Sequence, residues 1–180
     1  MPCGTGRTVH VNGLVLAWAE WGGGPGTPVV LLHSLAAHRH WWDWTAPRWA
    51  AGRRVVALDF RGHGASAHAA PPAYTFDDYA GDVVGVLDAL GIERARVIGH
   101  SMGGFVGALV AARAPARAEA LVVADMLTSW TADQAAAERV AAAIPRGTAA
   151  TLPQSFHHLV LDAPEAFVAA VDGWMAAAVS

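Results

Sequence analysis

The sequence predicts an α/β fold in which helices cover both faces of a mostly parallel sheet. Through the first two thirds of the chain, apolar runs of strand length alternate with helical patterns, which is the order typical of parallel sheets. "VVLLH" (29–33) and "VVALD" (55–59) are short and continuously apolar, as strands buried on both faces should be. No repeat or linker divides the 180 residues, so one domain is predicted over 1–180.

The segments around these two strands continue the alternation. "LVLAWAEW" (14–21) has the pattern of a half-buried strand, and the glycine-rich "GGGPGTP" (22–28) after it predicts a turn. "HWWDWTAPRWA" (40–50) predicts a helix or helical turn.

The clearest helical pattern covers residues 75–91. Thr75 and Asp78 have the spacing of a capping box, apolar residues recur on one side, and Gly91 ends the pattern. The remaining elements predicted in chain order are a strand at 95–99, a helix at 102–114, a strand at 120–125, a helix at 131–145, a weak strand at 148–152 and a final helix at 163–179 with Pro164 in its first turn.

The composition excludes several kinds of chemistry. All 12 basic residues are arginine, so a lysine Schiff base, a phosphate-loop lysine and a serine nucleophile activated by lysine are ruled out. The single cysteine, Cys3, cannot form an intrachain disulfide. No cofactor is predicted, and no metal either, since His38 and His40 lack a defined third ligand.

Charge and hydropathy indicate which partners to expect. The net charge is −3 with no long run of either sign, so no nucleic-acid partner is predicted. No segment has the length of a signal peptide's apolar region or approaches the roughly 18 apolar residues that span a bilayer. We therefore expect a cytoplasmic protein that does not bind membranes.

The stretch "VIGHSMGG" (97–104) places a serine between glycines directly after an apolar run. Gly99, Ser101 and Gly103 form the pattern GxSxG, in which a serine occupies a sharp strand-to-helix turn and glycines relieve collisions with the backbone. Ser101 is the predicted nucleophile. The amide of Met102, the next residue, would point to where an oxyanion develops.

Three stretches together resemble the α/β-hydrolase superfamily over about residues 9–125. "VVLLHSLAAHRHWWDW" (29–44) resembles its oxyanion loop and the tryptophan that follows, "VVALDFRGHGAS" (55–66) its RGHGxS turn, and "GHSMGG" (99–104) its nucleophile turn. The resemblance implies that the backbone amide of Leu35 completes the oxyanion hole. Where the family usually has His-Gly, this chain has His33-Ser34, whose β-carbon is expected to narrow the loop. The residues placed in the substrate pocket are His33, Ser34, His100 and Trp42, although aromatic residues such as Trp42 are often part of the core.

The general base must come from downstream of Ser101, because the order in this superfamily is serine, acid, histidine. Only His157 and His158 follow Ser101. The stretch 152–175 resembles the family's last strand, histidine loop and terminal helix, which implies that His157 is the catalytic histidine. Phe156 stands where the family has glycine, and two histidines in an ordinary loop remain the alternative reading.

The acid of the triad is the hardest residue to assign. The N-terminal core (1–125) ends with the sixth strand, and the histidine loop and terminal helix follow at 148–180. Only a shortened connection (126–147) separates the two parts. The cap and one late strand of the family pattern are therefore not evident. Asp125 is the best candidate, because it follows a strand next to the nucleophile strand. The alternative is an aspartate that only starts a turn, and Asp133 and Asp162 have the positions of helix-start residues.

These assignments predict a serine hydrolase that acts on a small ester, thioester or lactone. Serine at position 101 argues against the haloalkane dehalogenase and epoxide hydrolase branches, where the resemblance would require aspartate; hydrolysis of a carbon–carbon bond and perhydrolysis stay open. The alternative is a shortened, catalytically impaired homologue that serves as a binding or interaction module, or a partly folded deletion product. Loss of a strand would expose a sheet edge, which a homodimer would cover.

Overall fold

The computed structural model describes residues 4–125 and 159–177. The chain divides into two compact units, Met1–Ala124 and Asp125–Ser180. The predicted single domain is not tested by this division and stays a prediction. The first unit contains β1 (Thr5–Val11), β2 (Leu14–Leu32), α1 (Ala46–Trp49), β3 (Arg53–Leu58), α2 (Phe76–Ala89), β4 (Ala95–His100), α3 (Met102–Arg113) and β5 (Ala118–Ala124), with 3₁₀ turns at Arg39–Trp42 and Pro115–Arg117.

The first two strands form a hairpin. β1 pairs antiparallel with the start of β2, and the pair Val11↔Leu14 closes a two-residue loop. Both loop residues, Asn12 and Gly13, have positive φ (50 and 77), as a type I′ turn requires. β1 is absent from the predicted elements, although Asn-Gly between two alternating segments is a strong hairpin signal.

β2 is longer than predicted and folds around β3. Along the first half of β2 the partner residues on β3 decrease in number, from Trp18↔Leu58 to Gly22↔Arg54. Along the second half they increase, from Val29↔Val55 to Leu32↔Leu58. The predicted turn at 22–28 lies where the chain reverses direction along β3, and within it Gly22, Pro25 and Gly26 stay paired with that strand. A β-carbon at Gly22 or Gly24 would overlap the facing backbone, so the glycines let the strand change direction while it stays in the sheet.

The centre of the sheet is parallel, as predicted. The second half of β2 pairs parallel with β4, and β4 pairs parallel with β5. All residues of Val29–Leu32, Val55–Leu58 and Ala95–His100 are buried, so both faces of these strands are covered.

Helices α2 and α3 pack against one face of this sheet. The predicted capping box is present: the Asp78 amide donates to Thr75 Oγ1 at 3.2 Å, and the Thr75 amide donates to Asp78 Oδ2 at 2.8 Å. The buried residues that the two helices contribute to the core are Tyr79, Ala80, Val83, Val86, Leu87, Val106 and Val110.

A buried ion pair connects α2 to the loop that follows β3. Arg61 Nε lies 2.6 Å from Asp82 Oδ2, and a second guanidinium nitrogen lies 2.6 Å from Oδ1. Asn12 Nδ2 donates to the same carboxylate at 2.9 Å. The hydrogen bond with Asp82 raises the pKa of Arg61. Because Arg61 and Asn12 bind the same carboxylate, Asp82 connects the loop after β3 to the β1–β2 turn.

The second unit is described from residue 159 onward and consists of α4 (Leu159–Asp162) and α5 (Pro164–Ala177). The final helix is therefore confirmed, with Pro164 as its first residue. Its buried side chains recur at helical spacing and are Phe167, Val168, Val171 and Met175. The predicted helix at 131–145, the strand at 148–152 and the absence of a cap and a late strand all lie outside the described residues.

Candidate active site

Ser101 occupies the turn between β4 and α3. Its backbone has φ 51 and ψ −116, a region that residues with a β-carbon rarely adopt. The Ser101 amide donates to the Ala124 carbonyl at 2.9 Å, and the Ser101 carbonyl accepts from the amides of Gly104 (2.9 Å) and Phe105 (3.2 Å). Bonds on both sides of the residue therefore hold the strained conformation, as the GxSxG pattern predicts.

The flanking glycines are required by close backbone contacts. A β-carbon at Gly99 would overlap the carbonyl of Gly103, and a β-carbon at Gly103 would overlap the Leu32 carbonyl and lie 2.7 Å from the His33 oxygen. The strands and α3 can approach this closely only because both positions lack a side chain.

The strain at Ser101 predicts a difference between two variants. We expect Ser101→Gly to have a free energy of unfolding about 1 kcal/mol higher than Ser101→Ala, since glycine adopts this conformation without the penalty of a β-carbon and loses only part of that gain to chain entropy. Urea denaturation of both variants measures the difference. A glycine variant less stable than the alanine variant would show that the turn is not strained.

The two predicted oxyanion donors follow neighbouring strands. Met102 is the first residue of α3, where backbone amides have no partner within the helix. Leu35 is 69% exposed and lies three residues beyond Leu32. Leu32 in turn pairs with Gly99. Both loops leave the same edge of the sheet, and the roles of the two amides stay predictions.

The loop predicted to hold the oxyanion accommodates serine where the resemblance implies glycine. The Ala37 amide donates to the Ser34 carbonyl at 3.2 Å and closes a tight turn. The left-handed residue of this turn is Ala36 (φ 59) rather than Ser34. The backbone therefore does not require glycine at position 34, where the serine is buried.

His33 is buried and hydrogen-bonded at both ring nitrogens. Nδ1 lies 2.8 Å from the Ser34 carbonyl oxygen, and the Phe60 amide donates to Nε2 at 3.1 Å. Burial lowers the pKa of His33 to about 4, with nearby His63 and His38 acting in the same direction and Asp59 and the bond to Ser34 acting against them. His33 is therefore neutral near pH 7.

This histidine predicts a loss of stability in acid. The unfolded chain binds a proton at His33 near pH 6.5 and the folded chain only near pH 4, so stability falls as the pH drops from about 6.5 to about 4, by about 3 kcal/mol in total. His33→Asn removes this titration. Urea unfolding at pH 7 and pH 4.5 should show a smaller acid loss for the variant; equal losses would contradict the assignment.

The other residues that the sequence predicts in the substrate pocket have different environments. His100 is buried, and its ring stacks on Trp41 at 5.3 Å with an interplanar angle of 8°. Trp42 is fully buried, which favours the interpretation that this side chain is part of the core. His63 Nδ1 lies 3.0 Å from the Arg61 carbonyl oxygen and supports the turn after β3.

The structure places one of the two candidate partners of Ser101. Asp125 directly follows β5, has φ 48 and comes after Ala124, whose carbonyl binds the Ser101 amide. It therefore lies at the carboxyl end of the strand next to β4, as predicted. His157, His158 and Asp133 lie outside the described residues.

Asp59 is a residue near the site that the sequence analysis did not single out. It is fully buried at the end of β3 and accepts from the amides of Arg39 (2.5 Å) and Ala65 (2.9 Å) as well as from the Arg39 guanidinium. The signal that could have identified it is an aspartate at the end of a continuously apolar strand. Its carboxylate ties the segment after the oxyanion loop to the turn after β3.

Within the described parts of the chain, no group of three His, Cys, Asp or Glu residues has the geometry of a metal site. The rings of His38 and His40 lie 5.5 Å apart, and His40 Nδ1 bonds Asp43 at 2.9 Å. Across the same residues, no helix is long and apolar enough to cross a membrane.

The family model described as alpha/beta hydrolase fold matches residues 27–176. The chain belongs to this family. The match includes the predicted nucleophile Ser101, the predicted oxyanion donors Leu35 and Met102, and the predicted base His157. Ser101 lies within the matched residues, and its role as nucleophile stays a prediction.

Individual relatives resemble parts of this chain. The dihydrolipoyllysine-residue acetyltransferase component of an acetoin cleaving system from Pseudomonas putida is 44% identical over 115 residues, 64% of this chain and 31% of the relative. Epoxide hydrolase B from Mycobacterium tuberculosis is 46% identical over 80 residues, 43% of this chain and 22% of the relative.

A solved structure shows the same fold. The enol-lactonase from Burkholderia xenovorans superposes with a TM-score of 0.60 at 35% identity, covering 64% of this chain and 45% of that chain. The matches span about a third of the length of the first curated relatives.

Proposed function

We propose that this chain is a serine hydrolase that cleaves a small carboxylic ester, thioester or lactone through an acyl-enzyme on Ser101. The observation that carries the proposal is the strained backbone of Ser101, which glycines and backbone hydrogen bonds hold at the end of β4. Strain of this kind persists where the surroundings impose it, and it is concentrated at functional sites.

The proposed reaction has two halves. His157 takes the proton of the Ser101 hydroxyl, Oγ attacks the substrate carbonyl, and the amides of Met102 and Leu35 stabilise the negative oxygen. The intermediate collapses, and His157 returns the proton to the departing alcohol or thiol. Water, deprotonated by His157, then attacks the acyl-serine, releases the carboxylic acid and restores Ser101.

Asp125 would hold His157 in the tautomer that accepts the proton and would stabilise the imidazolium. This role is supported by the position of Asp125 at the carboxyl end of β5, where ligand chemistry is located in open parallel sheets. We expect Asp125→Asn to slow turnover by about 10⁴-fold if the carboxylate has this role. Unchanged turnover would remove Asp125 from the triad.

The names of the relatives bear on the substrate class. The enol-lactonase acts, by its name, on a lactone, which is an internal ester. The epoxide hydrolase indicates a different reaction, but a mechanism with an aspartate nucleophile cannot operate where this chain has serine. Serine at the turn therefore favours acyl transfer over epoxide opening.

A stopped-flow experiment with a p-nitrophenyl ester tests the proposal. An acyl-enzyme predicts a burst of nitrophenol of one equivalent per chain, followed by slower steady turnover. A chain that melts cooperatively but gives neither a burst nor turnover would contradict the proposal and favour a binding or interaction module.

A further inference from the structure

One peptide unit carries two groups that matter for the oxyanion hole. The carbonyl of Ser34 and the amide of Leu35 belong to the same planar, trans peptide bond, so they point in opposite directions and rotate together. His33 Nδ1 lies 2.8 Å from this carbonyl oxygen, and the Ala37 amide donates to it at 3.2 Å. Whatever fixes the carbonyl therefore also fixes the direction of the Leu35 amide.

The hydrogen on His33 is assigned by its second partner. The Phe60 amide lies 3.1 Å from Nε2, and a backbone amide can only donate, so Nε2 must accept. The proton of the neutral ring is then on Nδ1, where it donates to Ser34. Phe60, two residues beyond the end of β3, thus determines the tautomer of a side chain in the loop after β2.

The imidazole is also held in place by its packing. Its ring contacts Phe60 at 4.7 Å with an angle of 61° and His63 at 5.2 Å, and its side chain is fully buried. A ring enclosed in this way has little freedom to rotate away from the Ser34 carbonyl.

We propose that His33 is a positioning residue that orients the Leu35 amide toward the oxyanion through its Nδ1–H bond to the Ser34 carbonyl. The proposal rests on the proposed function, which makes Leu35 an oxyanion donor. It assigns His33 no contact with the substrate and no proton transfer.

Two variants of nearly equal shape test this role. His33→Asn keeps a donor close to the position of Nδ1, and His33→Leu removes it; both lose the bond to the Phe60 amide. We expect His33→Leu to lower kcat for an activated ester by about 10²-fold with little change in KM, as loss of an oxyanion donor does. His33→Asn should stay within about tenfold of the wild type, in line with the generic cost of one neutral hydrogen bond.

Thermal melting of both variants separates positioning from folding, because the two are expected to melt at similar temperatures. Equal kcat for the two variants would overturn the proposal. A lower kcat of the leucine variant that is explained entirely by a lower melting temperature would overturn it too.

A second measurement does not depend on hydrolysis. Nitrogen-15 chemical shifts of the His33 ring at pH 7 should show the neutral form with the proton on Nδ1, and a proton on Nε2 would overturn the proposal. If the wild type shows no ester hydrolysis, the proposed function fails, whereas the ring tautomer and the backbone amide shift of Leu35 in the two variants still decide the role of His33.

Discussion

Ser101→Ala is expected to lower the turnover of an activated ester by about 10⁴-fold or more, because the variant has no oxygen nucleophile and retains only binding and the oxyanion amides. Alanine keeps the β-carbon and thus the backbone strain at φ 51, so the fold of the turn should not change. Initial rates with p-nitrophenyl acetate, measured beside the wild type, give the ratio.

The control for this variant is its stability. Ser101→Ala should unfold at nearly the same urea concentration as the wild type, since Ser101 is only partly buried and the variant keeps its backbone hydrogen bonds. Activity within tenfold of the wild type would mean that another group performs the hydrolysis.

Gly103→Ala is expected to lower the free energy of unfolding by about 3 kcal/mol or more. Its β-carbon would overlap the Leu32 carbonyl and approach the His33 carbonyl oxygen, and neither is the end of a flexible side chain. The start of α3 would have to move away from β2, which would shift the Met102 amide and Ser101 together. Urea denaturation measures the loss of stability.

Gly81→Ala is the matched control. Gly81 lies within α2, and the nearest atom that its β-carbon would meet is Asn12 Nδ2 at 3.8 Å, an ordinary contact. Alanine favours helix over glycine, so this variant should be about 0.5–1 kcal/mol more stable than the wild type. If the two alanine variants had the same stability, the close backbone contacts at Gly103 would not be what excludes a side chain there.

The nucleophile turn could be predicted from sequence because its physics is local. Gly99, Ser101 and Gly103 lie within five residues, directly after an apolar run, and their spacing contains the steric requirement that the structure shows. The capping box at Thr75 and Asp78 was predictable for the same reason.

Features that depend on pairing between distant residues were not predicted. The turn expected at 22–28 also pairs with β3 because the backbone around Gly52 lies against it, and no pattern within 22–28 contains that information. The partners Arg61 and Asp82 are 21 residues apart, and His33 and Phe60 are 27 residues apart. Only the fold brings these groups together.

Whether Ser101 is an activated nucleophile is decided by the mass of the intact chain after exposure to a fluorophosphonate. We expect one adduct per chain, located on the peptide that contains Ser101 and absent from Ser101→Ala. A wild-type chain that melts cooperatively and either gains no mass or carries its adduct on another serine would contradict it.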